Sequence, residues 1–585
     1  MNKQAKTIDL ILVNSFAPRQ RIASDAALEN GLAVIRTYLE DRDFAVYVAD
    51  EQRVSAVEDG VPTWLSAMLR SLVKLQAKPL INRYKMLLLL FMLLTWPLQS
   101  LALACRQNYM DKVIDRLIDL AAAEQVPFIG IKVWGGAPFA WSKRLSIKLR
   151  AKLPETTVIA GGPHVKVYGE NVLAQNEFDL AIMGPGEEVL EELLRLRKSV
   201  TSKAEFIQRV KDKFGPSKLI RTGHYSETGD FYARSFTVPR YRPTDMIDKV
   251  WFHTLVDGLG CTWNKCAFCS HTRQNIHYTP RPLEEIKEEI LAMTSRSIAF
   301  FRFSSSETPL GHGRAIAEMI LSSNIHINYS MFARPVHVTE ETYHSYRLMI
   351  RAGLRAVFLG GETGHDAIND QIMNKGVVRK DIIDTIHCIK LAAAAEKQSC
   401  QVVLSMIYPC PLIPGVTLEE VFQANVSLLQ EANPDTVIVN PPGVFPGTTW
   451  FESPEKYGFT LSETHVYDWM NYEYSVLKPI EFWKTLNYRL HDMDMKELLK
   501  ESGRLNRQIT AMGIPINISD DYLMMSQAIG YSSQRDLFDF KKQSFVDILS
   551  GTSPYIQDIT RRMNARSADL AKSNPTDDTS STPNA

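Results

Sequence analysis

Three of the seven cysteines of this 585-residue chain stand close together, Cys261, Cys266 and Cys269, in the stretch Gly260–His271, GCTWNKCAFCSH. Thiolate sulfur is the ligand that iron–sulfur clusters take. Three thiolates on one loop can hold three irons of a 4Fe–4S cube and leave the fourth iron open to a substrate. The alternative is a structural zinc site with His271 as fourth ligand. Against it, the single residue between Cys269 and His271 is shorter than the usual spacing of zinc ligands.

Composition limits the classes available. Apolar residues make up 45% and charged residues 23%, and Lys plus Arg equals Asp plus Glu at 66 each. That balance argues against a broad nucleic-acid surface. The size predicts two to four domains. Seven cysteines, three of them clustered, are not a disulfide framework. An oxygen-sensitive cluster places the chain in the cytosol. The N-terminal MNKQAKTIDLILVNSF has no small-residue cleavage site and reads as a first strand.

The elements that must position a site follow from apolar periodicity. Short runs at Leu10–Asn14, Ala45–Ala49, Phe128–Val133, Thr157–Gly162 and Leu180–Gly184 suit buried parallel strands, and helical spacing intervenes. Residues 1–200 therefore predict a doubly wound α/β domain, which binds ligands at the carboxyl ends of its strands. Those ends carry Gly135–Gly136, Gly161–Gly162–Pro163–His164 and Gly184–Pro185–Gly186–Glu187, where glycines let a flat ligand approach the backbone. Each glycine pair taken alone also suits a tight turn. The domain is interrupted at 61–112. Within the interruption, Met86–Cys105 has sixteen apolar residues in twenty. By length that could span a membrane. A single span would put the two halves of one sheet on opposite sides of a bilayer, so a membrane-facing, substrate-facing or packed helical insert is also open.

Residues 201–245 read as a connector. From 246 to 462 a second alternating pattern follows. VWFHTLVDGLG leads into the cysteine loop, and further strands are read at SIAFFRFS, INYSMFAR, LRAVFLGGE, CQVVLSMIY and TVIVNPPG. Six strand–helix units predict a partial barrel, where chemistry gathers at the carboxyl ends. Residues 463–565 predict a helical C-terminal region, and 566–585 a polar, disordered tail. Cys388, Cys400 and Cys410 are dispersed and suit the core.

GCTWNKCAFCSH resembles the cluster loop of the radical S-adenosylmethionine (SAM) enzymes, with the aromatic Phe268 before the last cysteine. The family's common form has three residues between the first two cysteines. Here there are four, Asn264 or Lys265 being the extra one. FLGGETGHDAINDQIMNKG resembles the family's fourth-strand segment. AGGPHV, MGPGEEVLEEL and GLAVIRTYLEDRDFAVYVAD resemble the cobalamin-binding domain that precedes many radical SAM domains. The resemblance implies a 4Fe–4S cluster on Cys261, Cys266 and Cys269, beside Phe268. It implies SAM contacts from Gly360, Gly361, Glu362 and Thr363, from Ser304, Ser306 and Glu307, and from Arg334. It implies cobalamin against Gly135, Gly161, Gly162, His164, Gly184, Gly186 and Glu187. No Asp-x-His-x-x-Gly motif occurs, so cobalt would take no protein imidazole, and His164 would line the pocket.

The implied activity is reductive cleavage of SAM to a 5′-deoxyadenosyl radical, followed by C-methylation of an unactivated carbon through cobalamin. Radical cyclisation, ring contraction or oxidation without methyl transfer is the second reading. A cobalamin-binding or zinc-stabilised sensor is the third. The partners implied are an electron donor such as flavodoxin or ferredoxin and a small-molecule, lipid or peptide substrate. Membrane association through 86–105 is open, and no nucleic acid is expected.

Overall fold

The computed structural model describes residues 7–16, 26–76, 85–223, 236–271, 278–473 and 480–575. The chain divides into two units: residues 1–249 with 461–487 and 543–557, and residues 250–460 with 488–542 and 558–585.

The first unit is built on a six-stranded parallel sheet: β1 (Leu10–Asn14), β2 (Val46–Ala49), β3 (Phe128–Lys132), β4 (Thr157–Gly161), β5 (Leu180–Met183) and β6 (Leu219–Arg221). The spatial order is β2-β1-β3-β4-β5-β6, so the direction of winding reverses between β1 and β3. In open α/β sheets, the crevice at such a reversal is where ligands bind. Leu10, Leu12, Phe128, Ile159, Leu180 and Ile182 enter one core with Leu39, Leu193 and Phe206 of the covering helices. β6 lies in the segment expected to be a connector. Residues 203–221 instead extend this sheet, because the buried Phe206 and Val210 of the helix Lys203–Phe214 carry the chain back to the edge of β5.

The interruption is a helical hairpin, Thr63–Gln76 and Lys85–Ala123. Leu65, Leu69 and Ala102 form a small buried contact between its arms. The second half of the long helix is anchored by buried Met110, Val113, Ile114, Ile118 and Ala121 and leads directly into β3. No helix among the described residues is long and apolar enough to cross a membrane.

The second unit has a second six-stranded parallel sheet. Its strands are β7 (His253–Leu255), β10 (Phe300–Phe303), β11 (Asn328–Ala333), β12 (Leu354–Glu362), β13 (Gln401–Ile407) and β14 (Thr436–Asn440). Their spatial order is β14-β13-β12-β11-β10-β7. β13 is buried along its whole length, as expected of a strand covered on both faces. Between β7 and β10, a small antiparallel ladder of β8 (Gly258–Leu259) and β9 (Thr279–Pro280) forms the base of the cysteine loop.

Residues 463–565 are mainly helical but are shared between the units. They also contain β16 (Tyr488–Leu490) and β17 (Met493–Asp494), which join β15 (Phe459–Leu461) in a small sheet. The tail does not begin at 566. The helix Pro554–Ala571 continues through it, because Ser567 is fully buried and bonds to Ala299 N and Ser297 O. Residues 576–585 of the expected tail lie outside the described residues. Cys388, Cys400 and Cys410 are buried.

Candidate functional sites at two sets of strand ends

In the second unit, the chain between β8 and β9 carries the three cysteines. Asn264, one of the two candidates for the extra residue, has φ 49°. Asparagine tolerates that left-handed conformation better than most side chains. The turn aims the backbone N–H groups of Trp263 and Asn264 at the Cys261 sulfur. Cys261 Sγ also donates to Glu307 Oε2 at 3.0 Å, and Thr262 Oγ1 donates to the same oxygen at 3.0 Å. Burial raises the Cys261 pKa, the Glu307 carboxylate adds to the rise, and the backbone amides oppose it. Burial pushes the Cys266 thiol up to about 12, with Lys375 pulling the other way.

The segment after β12 clamps this loop. Ala267 N donates to Met373 O (2.9 Å), Asn374 Nδ2 to Lys265 O (2.8 Å) and Trp263 Nε1 to Asn374 O (2.6 Å). Phe268 packs against Trp450, with ring centroids 5.8 Å apart. Arg334 lies 4.4 Å over the Trp263 ring and donates to Lys375 O and Gly376 O, each at 2.7 Å. Lys375 Nζ, buried, donates to Glu362 Oε1 at 2.8 Å. Burial alone would lower the Lys375 pKa, but Glu362 and Cys266 outweigh it and the net shift is upward. Gly360 makes room for this ion pair: a Cβ there would stand 2.8 Å from Glu362 Oε1 and 2.9 Å from Lys375 Nζ.

The residues expected to bind SAM do not all gather in one place. Glu307, Arg334, Gly360 and Glu362 gather around the cysteine loop through these contacts. Thr363 and Gly361 face inward. Thr363 Oγ1 donates to Asn425 Oδ1 at 2.9 Å, and a Cβ on Gly361 would meet Leu404 Cδ1 at 2.7 Å. Ser306 Oγ lies 2.7 Å from His271 Nδ1. Ser304 N bonds Leu255 O, continuing the β7–β10 ladder. Sequence reasoning missed two charged groups. One is Lys375, inside the quoted MNKG. The other is Asp257, fully buried, which accepts from Ser305 N, Ser305 Oγ and Thr308 Oγ1 and so fixes the loop that carries Glu307. Burial raises the Asp257 pKa against these donors. Neither residue has a spacing signal, since the fold alone brings it back.

Among the described residues, no three His, Cys, Asp or Glu side chains converge to share one metal ion. A cluster requires one thiolate on each of three irons, and a loop with three closely spaced cysteines, clamped at 263, 265 and 267, fits that demand.

The first unit offers a different surface. After β1 and β3, Asn14 Nδ2 donates to Glu29 Oε2 (3.2 Å) and Asp50 Oδ1 (3.0 Å). Lys132 Nζ pairs with Glu29 at 2.6 Å, and Lys249 Nζ with Asp50 Oδ2 at 2.6 Å. His164 stacks on Tyr168 (5.4 Å) and meets the Trp134 edge (5.8 Å). A Cβ on Gly135 would lie 2.6 Å from His164 Nε2, so a side chain there would push the imidazole aside. Gly184 is required by Thr222, whose backbone oxygen would stand 2.5 Å from a Cβ. Gly162, at φ 92°, crosses Lys132 closely, and Gly186 has only ordinary contacts. Gly161 differs: among the described residues, nothing lies within 4 Å of the position its Cβ would take. The carboxyl end of β4 is therefore open at this position. Glu187, whose carboxyl pKa burial raises, accepts the amides at the start of the helix Glu187–Lys198.

The B12 binding domain model matches residues 99–194, and the Radical SAM superfamily model matches residues 255–424. The chain is a radical SAM enzyme with a B12-binding domain. No curated protein sequence matches it. Among solved structures, it is similar to the radical SAM methyltransferase TsrM from Kitasatospora setae with tryptophan substrate and a SAM analogue bound. The TM-score is 0.57 at 13% identity, covering 92% of this chain and 100% of that one. The same methyltransferase with cobalamin and a [4Fe-4S] cluster bound gives 0.55 at 15%, covering 96% and 100%. The cobalamin-dependent SAM radical enzyme OxsB, with aqua-cobalamin and SAM bound, gives 0.46 at 14%, covering 77% and 56%. At these identities the likeness concerns the fold. The B12 match begins at 99, so β1, β2 and most of the hairpin lie before it. The cofactors of this radical SAM enzyme are a 4Fe–4S cluster, SAM and cobalamin.

Proposed function

We propose that this radical SAM enzyme C-methylates an unactivated carbon of a small-molecule substrate. One observation carries the reading: a single chain holds a three-cysteine loop at one set of strand ends and a B12-binding sheet with an open Gly161 corner at another. When bound, the cluster and SAM supply a hydrogen-abstracting radical, and cobalamin supplies a transferable methyl group. Cys261, Cys266 and Cys269 would hold the cluster. Glu307 and the Glu362–Lys375 pair would present charge to the methionine end of SAM, and Arg334 would hold the loop to its clamp. An electron donor such as flavodoxin or ferredoxin would reduce the cluster.

The test is anaerobic reconstitution with iron, sulfide and hydroxocobalamin, followed by addition of SAM carrying a trideuterated methyl group and a reductant. Formation of 5′-deoxyadenosine and mass labelling of cobalamin are expected, and Cys261→Ala should abolish the first. Deoxyadenosine without label on cobalamin would replace methylation by a radical rearrangement or oxidation. Neither product would sink the reading.

A further inference from the structure

None of the site residues described above lies on the hairpin Thr63–Gln76/Lys85–Ala123. Its long helix is in two halves of opposite character. The second half is buried against the first unit. The first half is apolar on nearly every side, yet most of its described side chains face solvent. Among them only the stripe Thr95, Ala102 and Arg106 is buried, and Gln99 is tied to Leu549 O. Leu93 is 57% exposed, Trp96 59% and Leu103 53%, and on the shorter arm Trp64 is 59%. A helix bathed in water carries polar residues on such a face. From Met86 to Cys105 this one carries no charged residue at all.

The charge along this stretch of sequence is one-sided. Between Asp59 and Asp111 there is no acidic residue, but there are six basic ones: Arg70, Lys74, Lys78, Arg83, Lys85 and Arg106. The rest of the chain balances them with acid, since the totals are equal at 66 each. Two of the six are committed within the protein. Arg70 pairs with Asp547 at 2.6 Å, and Arg106 bonds Gly551 O at 3.1 Å. Lys74 is exposed on the outer side of the shorter arm, beside the exposed Leu75. In sequence, Lys78 and Arg83 fall between the two arms, and Lys85 opens the long one.

We infer that this hairpin lies in the surface of an anionic lipid bilayer, with Trp64, Leu93, Trp96 and Leu103 in the headgroup–acyl boundary and the basic residues against the headgroups. An apolar helical face with aromatic anchors and a basic rim is the physical requirement for in-plane binding. It needs no span, in keeping with the helices found. A second copy of the chain is a poorer occupant, because a symmetric contact through the same patch would bring like charges together. An anionic surface satisfies both the apolar face and the basic rim.

The experiment is flotation of the reconstituted full-length enzyme with vesicles of phosphatidylcholine and phosphatidylglycerol (3:1), or of phosphatidylcholine alone. The enzyme is expected to float with the anionic vesicles and to be released by 1 M salt. Lys74→Gln should weaken partitioning about fivefold, the effect of one basic residue near such a surface. Leu93→Glu with Trp96→Glu should weaken it more than tenfold while leaving 5′-deoxyadenosine formation unchanged. Quenching of wild-type tryptophan fluorescence by brominated phosphatidylglycerol gives a reading that needs no variant. Absence of both flotation and quenching would overturn the inference. So would a dimer in solution that the Leu93/Trp96 variant dissolves. Loss of SAM cleavage alone would count against the proposed chemistry and leave lipid binding standing.

Discussion

Lys375→Met is the sharpest test of how the cluster end of the second unit is built. Lys375 and Glu362 meet at 2.8 Å with side chains only 11% and 7% exposed. Removing the ammonium leaves a buried carboxylate without its counter-charge, which costs about 3–5 kcal/mol. The same lysine's backbone carbonyl is held by Arg334, a bond that the substitution keeps, so the loss reports the charge pair itself. With urea slopes of roughly 1–3 kcal/mol per M, the unfolding midpoint of the apo-protein should fall by about 1 M or more. Glu362→Gln combined with Lys375→Met removes both charges, and most of the loss should return, giving a coupling of about 2 kcal/mol or more between the two positions. The assay is anaerobic urea unfolding of the wild type, both single variants and the double variant. A loss below about 1 kcal/mol for Lys375→Met, or simple additivity in the cycle, would refute the claim that the two charges support each other.

Further outcomes follow from particular positions. Gly161→Leu should fold with wild-type stability, since nothing borders its Cβ position, and should lose cobalamin binding at least tenfold; equilibrium binding of hydroxocobalamin reads this directly. Gly376→Ala should be strongly destabilising and should lower iron content after reconstitution, because φ is +63° and the new Cβ would stand 2.2 Å from the Trp263 ring. Lys541, half-buried and donating to Ile516 O, has its pKa depressed by desolvation to about 8. Between about 8 and the ordinary value near 10.4, the unfolded chain holds a proton that the folded chain has shed. Stability should therefore rise with pH across that window. The gain is at most about 3 kcal/mol, and Lys541→Met should flatten the slope in unfolding experiments run from pH 7 to 10.5.

The two parallel sheets were legible because their strands are short apolar runs bounded by glycine and other turn residues and separated by helical spacing. β1 and β12 occupy the expected Leu10–Asn14 and Leu354–Glu362, and β2, β10, β11, β13 and β14 lie within their expected runs. The cysteine loop was legible because three like ligands on one short loop suit little besides metal or cluster binding. What escaped was whatever depends on return of the chain. β6 was hidden in a segment of mixed charge, and Lys375 and Asp257 look like ordinary surface residues until burial gives them partners. The strand-end glycines illustrate the limit. Their sequence contexts are alike, yet Gly135 and Gly184 serve internal contacts and Gly161 opens outward. That difference lies in the neighbours, which no local pattern records.

The first unit is assembled from stretches far apart in the chain, and this bears on how the protein is made. Arg70 and Gln99 find their partners at Asp547 and Leu549, and Gly136 N finds its own at Met470 O. At ribosomal speeds of about 5–20 residues per second, the hairpin emerges on the order of 20 to 90 s before residue 547 exists to meet it. Throughout that interval its greasy arms lack the late-made segment that ties them down. A nascent chain at that stage leaves those arms uncovered, and a gene cut after residue 460 would leave the first unit without the segments that complete it.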